Sequence, residues 1–253
     1  MRKEYKTIYG EFETEIEINK SRFITNIKRS NSEAESLEFI EEINKKYRDA
    51  THNCTAYING PTKLIQRYND DGEPQGTAGI PMLEVLKKED LTDVVVVVTR
   101  YFGGKKLGAS GLIRAYGRGV SEAISISDIV WLRNFYEVKV EFDYTFLGKI
   151  DNFVSKEMYH LKNREYLEKI HNIFYIRQDD FSKFRDELLE ITSDNIEIEI
   201  VRELQIQVKG DELIYWLEKY EKKYNNKKDY THLYSFISSV IFSYNVYKYS
   251  HKR

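Results

Sequence analysis

Val94–Val98 are five consecutive valines inside the segment DVVVVVT. β-branched side chains favour an extended chain. Successive residues of a strand point to opposite faces. An unbroken valine run therefore makes both faces apolar, and both must be covered. This predicts a strand at 93–99 with both faces buried. The chain then reverses character. From Val94 to Gly119 it carries six glycines, the bases Arg100, Lys105, Lys106, Arg114 and Arg118, and no acid.

The flanking patterns give the rest of the first half. Residues 12–19 and 22–29 alternate apolar and polar, as half-buried strands do. In 32–47, Leu37, Ile40, Ile43 and Tyr47 recur at helical spacing, and Ser32 with Glu35 forms a capping-box signature. CTAYIN and KLIQRYN read as two strands joined by a turn at Gly60-Pro61. Residues 77–89 read as a helix with Pro81 in its first turn, and a further helix is expected over 110–125. The second half predicts a strand at 135–143, a helix at 145–157, strands at 159–168 and 170–176, a helix at 179–191 and a strand at 196–201. That order is β-α-β-β-α-β, the ferredoxin-like arrangement. Two amphipathic helices are expected in the tail, over 211–224 and 233–244, with faces that pack on the body or on each other, or meet a partner or membrane surface.

Composition places the boundaries. Eleven of the 13 glycines and all 3 prolines precede residue 135. Net charge is 0 over residues 1–134, −5 over 135–202 and +3 over 203–253. We therefore expect a domain at 1–134, a second at 135–202 and a helical extension at 203–253. At 41% hydrophobic, the 253-residue chain can bury a sizeable core, and its net charge of −2 makes any basic site a local one. A single cysteine, Cys54, excludes an internal disulfide and a zinc site built on several thiolates. The N-terminus lacks a signal-peptide pattern, and no run approaches the roughly 20 apolar residues of a membrane span. A cytoplasmic protein is expected.

The glycine-rich basic segment reads as an anion-binding corner. Gly103 and Gly104 permit a tight turn. The free N–H groups of the helix starting near Ser110 attract negative charge, and Arg114 and Arg118 share one face of it. The anion-binding candidates are Arg100, Gly103, Gly104, Lys105, Lys106, Ser110, Arg114 and Arg118. The alternative is a tight strand–helix connection with merely solvated lysines. The segment is not a P-loop. An acidic companion, Asp70, Asp71 and Glu73, favours turn formation and ion pairing over a metal site. His52 and Cys54 lack the activated thiolate and oxyanion pocket that a Cys–His nucleophile needs, so the cysteine is expected to be inert. We assign no catalytic residue, metal or cofactor.

Four stretches now stand together: SRFITNI, ATHNCTAYING, DDGEPQGTAGIPMLEVL, and the valine run through RYFGGKKLGASGLIRAYGRGVSEAI. In this order they resemble the IMPACT (YigZ-type) family densely over residues 12–126 and more weakly over 135–202. The resemblance implies an α+β protein. Its N-terminal β/α domain would be like the ribosomal-protein and GHMP-kinase fold, and its second domain like the last domain of the translocation elongation factor. Residues 203–253 depart from the family's two-domain form. The resemblance implies a non-catalytic protein that binds RNA or the ribosome, in connection with translation or its regulation. A regulator that binds another protein, as eukaryotic relatives do, is the second reading, and a phosphate-substrate enzyme on the GHMP-like fold is the third.

Overall fold

The computed structural model describes residues 3–210 and 212–214. Its first half comprises β1 (Tyr5–Tyr9), β2 (Glu11–Ile18), β3 (Ser21–Arg29), α1 (Glu33–Lys46), β4 (His52–Asn59), β5 (Ile65–Asn69), α2 (Gly79–Lys88), β6 (Val94–Tyr101) and α3 (Gly108–Ile126). There follow β7 (Asp128–Phe142), α4 (Leu147–Lys156), β8 (His160–Tyr166), β9 (Ile170–Arg177), α5 (Phe181–Thr192), β10 (Ile196–Lys209) and the two-residue β11 (Glu212–Leu213). The described residues thus form an α+β protein with two antiparallel sheets and five α-helices. Elements β1 to β10 belong to one compact unit.

The first sheet has the order β2–β3–β6–β4–β5, with the valine strand at its centre. All five valines are fully buried. Val94, Val96 and Val98 pack with Met82 and Leu86 of α2 and with Leu112, Tyr116 and Val120 of α3. Val95 and Val97 pack on the other face against Phe39 and Ile43 of α1. Covering both faces this way stabilises the sheet by about 1.5–3 kcal/mol per valine. The start of α1 follows the expected box in altered form. Ser32 Oγ accepts from the Glu35 N–H at 3.2 Å, and the Glu35 carboxylate accepts from the Asn31 N–H at 2.7 Å.

The second sheet has the order β10–β7–β9–β8, which reproduces the expected β-α-β-β-α-β succession. Val138, Val140, Phe142, Phe174 and Ile176 on its covered face pack against Ile150 and Phe153 of α4 and Phe184 and Leu188 of α5. Two elements differ from the sequence expectation. β7 begins at Asp128, so Asn134, the expected boundary, lies inside a continuous strand. The unexpected β1 pairs with its first half, from Tyr5 opposite Leu132 to Tyr9 opposite Asp128. Glu4 closes the gap between β1 and β9 on this side of β7. Its carboxylate accepts from the Asn134 N–H at 2.8 Å and from Arg133 Nη1 at 2.9 Å.

β10 also runs further than expected, to Lys209, because residues 202–208 continue the ladder along β7 to Trp131. Glu212–Leu213 are extended where the first tail helix was expected to begin. The remainder of the two expected tail helices lies outside the described residues.

Candidate nucleic-acid interface

The loop between β6 and α3 is fixed by its neighbours. A Cβ on Gly103 would lie 2.0 Å from the Lys20 carbonyl oxygen, so only glycine lets the loop dock against the β2–β3 turn. The Gly103 N–H donates to Ser21 Oγ at 3.2 Å. This glycine therefore serves packing within the chain. Gly104 has a φ of +82° and open space around it, so its role is conformational.

Beyond Gly104, five polar side chains form an exposed basic rim. Lys105, Lys106, Ser110, Arg114 and Arg118 are all exposed. Arg118 Nε lies 3.5 Å from Glu122 one turn further along α3, a solvated contact of small energetic weight. Lys105, Lys106 and Arg114 have no carboxylate partner among the described residues. α3 begins without a side-chain cap at Leu107 and without an acid in its first turn, so its leading N–H groups are unmatched by side chains.

Arg100 is the correction. It was expected in the rim, but it is 5% exposed. Sheet register places it beside Phe23 of β3 and His52 of β4 on one face. Its guanidinium sits 5.5 Å from the ring centroids of both Phe23 and Phe102. Nη1 donates to Glu73 Oε1 at 2.6 Å, and Nη2 lies 3.4 Å from Ser21 Oγ. Glu73 neutralises its charge inside the protein, so Arg100 supports the rim from behind and does not enlarge it.

The acidic loop is likewise engaged internally. Asp70 Oδ1 accepts from the Ala78 and Gly79 N–H groups at 3.0 and 2.8 Å, and Oδ2 from Gly76 at 2.8 Å. It thereby holds the loop closed and caps the start of α2. Asp71 Oδ2 accepts from the Asn53 N–H at 2.6 Å. Glu73 also accepts from the Tyr116 hydroxyl at 2.8 Å. Burial, with Glu73 and Cys54 alongside, pushes the Tyr116 phenol well above its ordinary range. The ion pairing expected of this loop reaches Arg100 and does not involve the two rim lysines.

His52 and Cys54 do share a strand face with this cluster. The Cys54 thiol is fully buried and donates to the Asp70 carbonyl at 3.0 Å. Burial pushes it up to about 12, so at neutral pH it is a thiol and not a nucleophilic thiolate. The Asp71 carbonyl can only accept, and it lies 2.7 Å from His52 Nδ1, which therefore carries the proton. His52 Nε2 faces Glu73 Oε2 at 3.9 Å. Tyr116, Ser21, Lys20 and Phe102 were not singled out from the sequence. They join the site only through sheet register and the close approach at Gly103.

These features lie within a recognisable pattern. The Impact N-terminal domain model matches residues 19–124, and a domain of unknown function, DUF1949, matches 140–195. The chain is 46% identical over 194 residues to IMPACT family member YvyE of Bacillus subtilis, an alignment spanning 77% of this chain and 89% of the relative. The chain belongs to the IMPACT family. An IMPACT family member from Haemophilus influenzae is 36% identical over 74% of this chain and 92% of its own length. A solved structure described as a hypothetical protein matches 80% of the chain and 99% of its own, with a TM-score of 0.52 and 26% identity. In this IMPACT protein the rim, the acidic loop and the Arg100–Glu73 pair all fall inside the first matched segment. All of β1, β2 and β10, and the first part of β7, lie outside both segments. Among the described residues no helix is long and apolar enough to cross a membrane.

Proposed function

We propose that this IMPACT family protein is a non-catalytic RNA- or ribosome-binding protein, connected with translation or its regulation, that docks phosphates on the rim at the start of α3. The observation that carries this is the state of the cations. Elsewhere in the first half, Arg22, Lys28, Lys46, Lys63 and Lys87 each lie within 3.2 Å of a carboxylate, whereas Lys20, Arg48 and Lys88 are scattered exposed cations without one among the described residues. Lys105, Lys106 and Arg114 have no such partner among the described residues and stand exposed beside an uncapped helix start. That combination suits a phosphate oxygen. The strand order of the second half supports a ferredoxin-like domain.

Docking of another protein is the second reading. Ile113, next to Arg114, is 44% exposed, and Ile80 at the start of α2 is 39% exposed. An apolar contribution of this kind would make binding less sensitive to salt.

The deciding measurement is a titration of the full-length protein with single-stranded RNA at several salt concentrations. Affinity should fall steeply with salt. The double change Lys105→Ala, Lys106→Ala should reduce the log–log slope by roughly 1.4, at about 0.7 per phosphate contact on a single strand. The loss should be similar for unrelated sequences, because phosphate contacts position and do not specify. An unchanged slope and affinity would remove the rim from the function.

A further inference from the structure

Phe102 is left unused by a purely electrostatic rim. It is 46% exposed, yet the loop that carries it is rigidly held. Its N–H donates to Thr51 Oγ1 at 3.1 Å, and the next N–H, that of Gly103, donates to Ser21 Oγ. The Arg100 guanidinium lies 5.5 Å from the centroid of the ring and is itself anchored by Glu73. Arg100 thus lies against the ring, and nearly half of the Phe102 surface is open to solvent.

Lysines adjoin the loop that carries it. The contact at Gly103 brings the β2–β3 turn against the loop, and with it Lys20, which is exposed and has a φ of +66°. Lys105 and Lys106 follow three and four residues after the ring. Two of the carboxylates nearby are engaged: Asp49 accepts from the Tyr101 hydroxyl, and Glu15 pairs with Arg22. In the second half the exposed rings Tyr144 and Tyr166 stack on each other with centroids 6.4 Å apart, so each already occupies a face of the other. Glu137 and Glu141 of the second sheet are tied to Lys162, Arg202 and Lys169, and its Tyr175 is 2% exposed.

We infer that Phe102 is a stacking platform for an unpaired base, with Lys20 on one side and Lys105-Lys106 on the other holding the phosphates of adjacent nucleotides. The ligand class is thereby narrowed to single-stranded RNA. This rests on the RNA-binding function proposed above. Every base has a π-face to stack, so such a platform tolerates any sequence. A duplex keeps its bases in the stack and cannot use it.

The experiment is an anisotropy titration of the full-length protein with a labelled oligoadenylate, the matching oligouridylate and the duplex of the two. Wild type should bind the single strands more tightly than the duplex. Phe102→Ala should weaken single-strand binding roughly tenfold or more while leaving the salt slope unchanged. Phe102→Leu, which keeps an apolar group but loses the aromatic face, should also weaken it. Lys20→Ala should lower the slope by roughly 0.7. The exposed position of Phe102 leaves the fold intact, which the thermal midpoint verifies. Binding that survives both Phe102 changes but falls with Lys105→Ala, Lys106→Ala overturns the platform and keeps the rim. A duplex bound as tightly as the single strands also overturns the platform. Wild type that binds none of the three probes overturns the platform and the RNA-binding function together.

Discussion

Arg100 Nη1 lies 2.6 Å from Glu73 Oε1, with side-chain exposures of 6% and 3%. The pair joins the end of the central strand to the acidic loop, and Tyr116 of α3 donates to the same carboxylate oxygen. Removing one partner strands a buried charge, which costs about 3–5 kcal/mol. Arg100→Met should therefore destabilise the protein by an amount in that range in urea unfolding. Adding Glu73→Gln should recover part of the loss, because the double change removes both charges. Strict additivity of the two changes would mean that they do not interact.

Cys54 should resist alkylation in the native protein at pH 7–8 and react once the chain is unfolded. The thiol also links stability to pH. Its folded value, about 12, lies above its ordinary 9.0, so the folded state holds the proton longer than the unfolded one. Its contribution is fully present below about pH 9 and is lost as pH rises from there toward 12. The limiting slope is ~1.4 kcal/mol per pH unit. Wild type should lose stability more steeply than Cys54→Ala in this window, and equal slopes would contradict a buried, protonated thiol.

Gly103 and Gly104 should respond differently to alanine. Gly104→Ala meets open space and faces only its positive φ, a cost of about 1 kcal/mol. Gly103→Ala drives a Cβ into the Lys20 carbonyl at 2.0 Å, and backbone must move. Its cost should be the larger, about 1–3 kcal/mol, with faster amide exchange at Gly103 itself. If Gly104→Ala proves the more damaging, the docking of the loop on the β2–β3 turn is wrong.

We propose that residues 1–134 form a domain able to fold alone. The segment keeps β1 with its Asp128–Leu132 partner, the Glu4–Asn134 hydrogen bond and the whole valine-centred core. The fragment should unfold cooperatively on heating. Glu4→Ala within it should cost ~1 kcal/mol and speed amide exchange over Tyr5–Tyr9. A molten or insoluble fragment would show that β10, along the other edge of β7, is required.

Much of this architecture is written in local periodicity. The valine run announced a strand covered on both faces, and the alternation of Phe12, Ile16 and Ile18 with glutamates announced a half-buried strand, which the structure places at the sheet edge. The position of Arg100 was also legible in principle. It has the parity of Val94, Val96 and Val98, the valines that face α2 and α3, so it points inward with them. Its glycine and lysine neighbours argued for the surface and hid that parity. Glu73 as its partner was not legible, because the loop from Asp70 to Gly79 follows no period. Nor was β1, a five-residue strand whose partner lies at the far end of the first half. Phe102 and Lys20 are neighbours only because Gly103 lacks a side chain.

The unbroken course of β7 has a consequence for how this chain can vary. Domains joined by a loop tolerate gain or loss of residues between them. Here the passage from one half to the other is made inside a strand, with β10 bonded along it from Trp131 to Phe142. Side chains alternate faces with a period of two, so one residue inserted near Asn134 would turn every downstream side chain of β7 over. Val138, Val140 and Phe142 would leave their core for solvent. The distance between the halves is thus counted in whole residues, and single-residue insertions or deletions should be excluded from this junction, however freely the turns on either side change length.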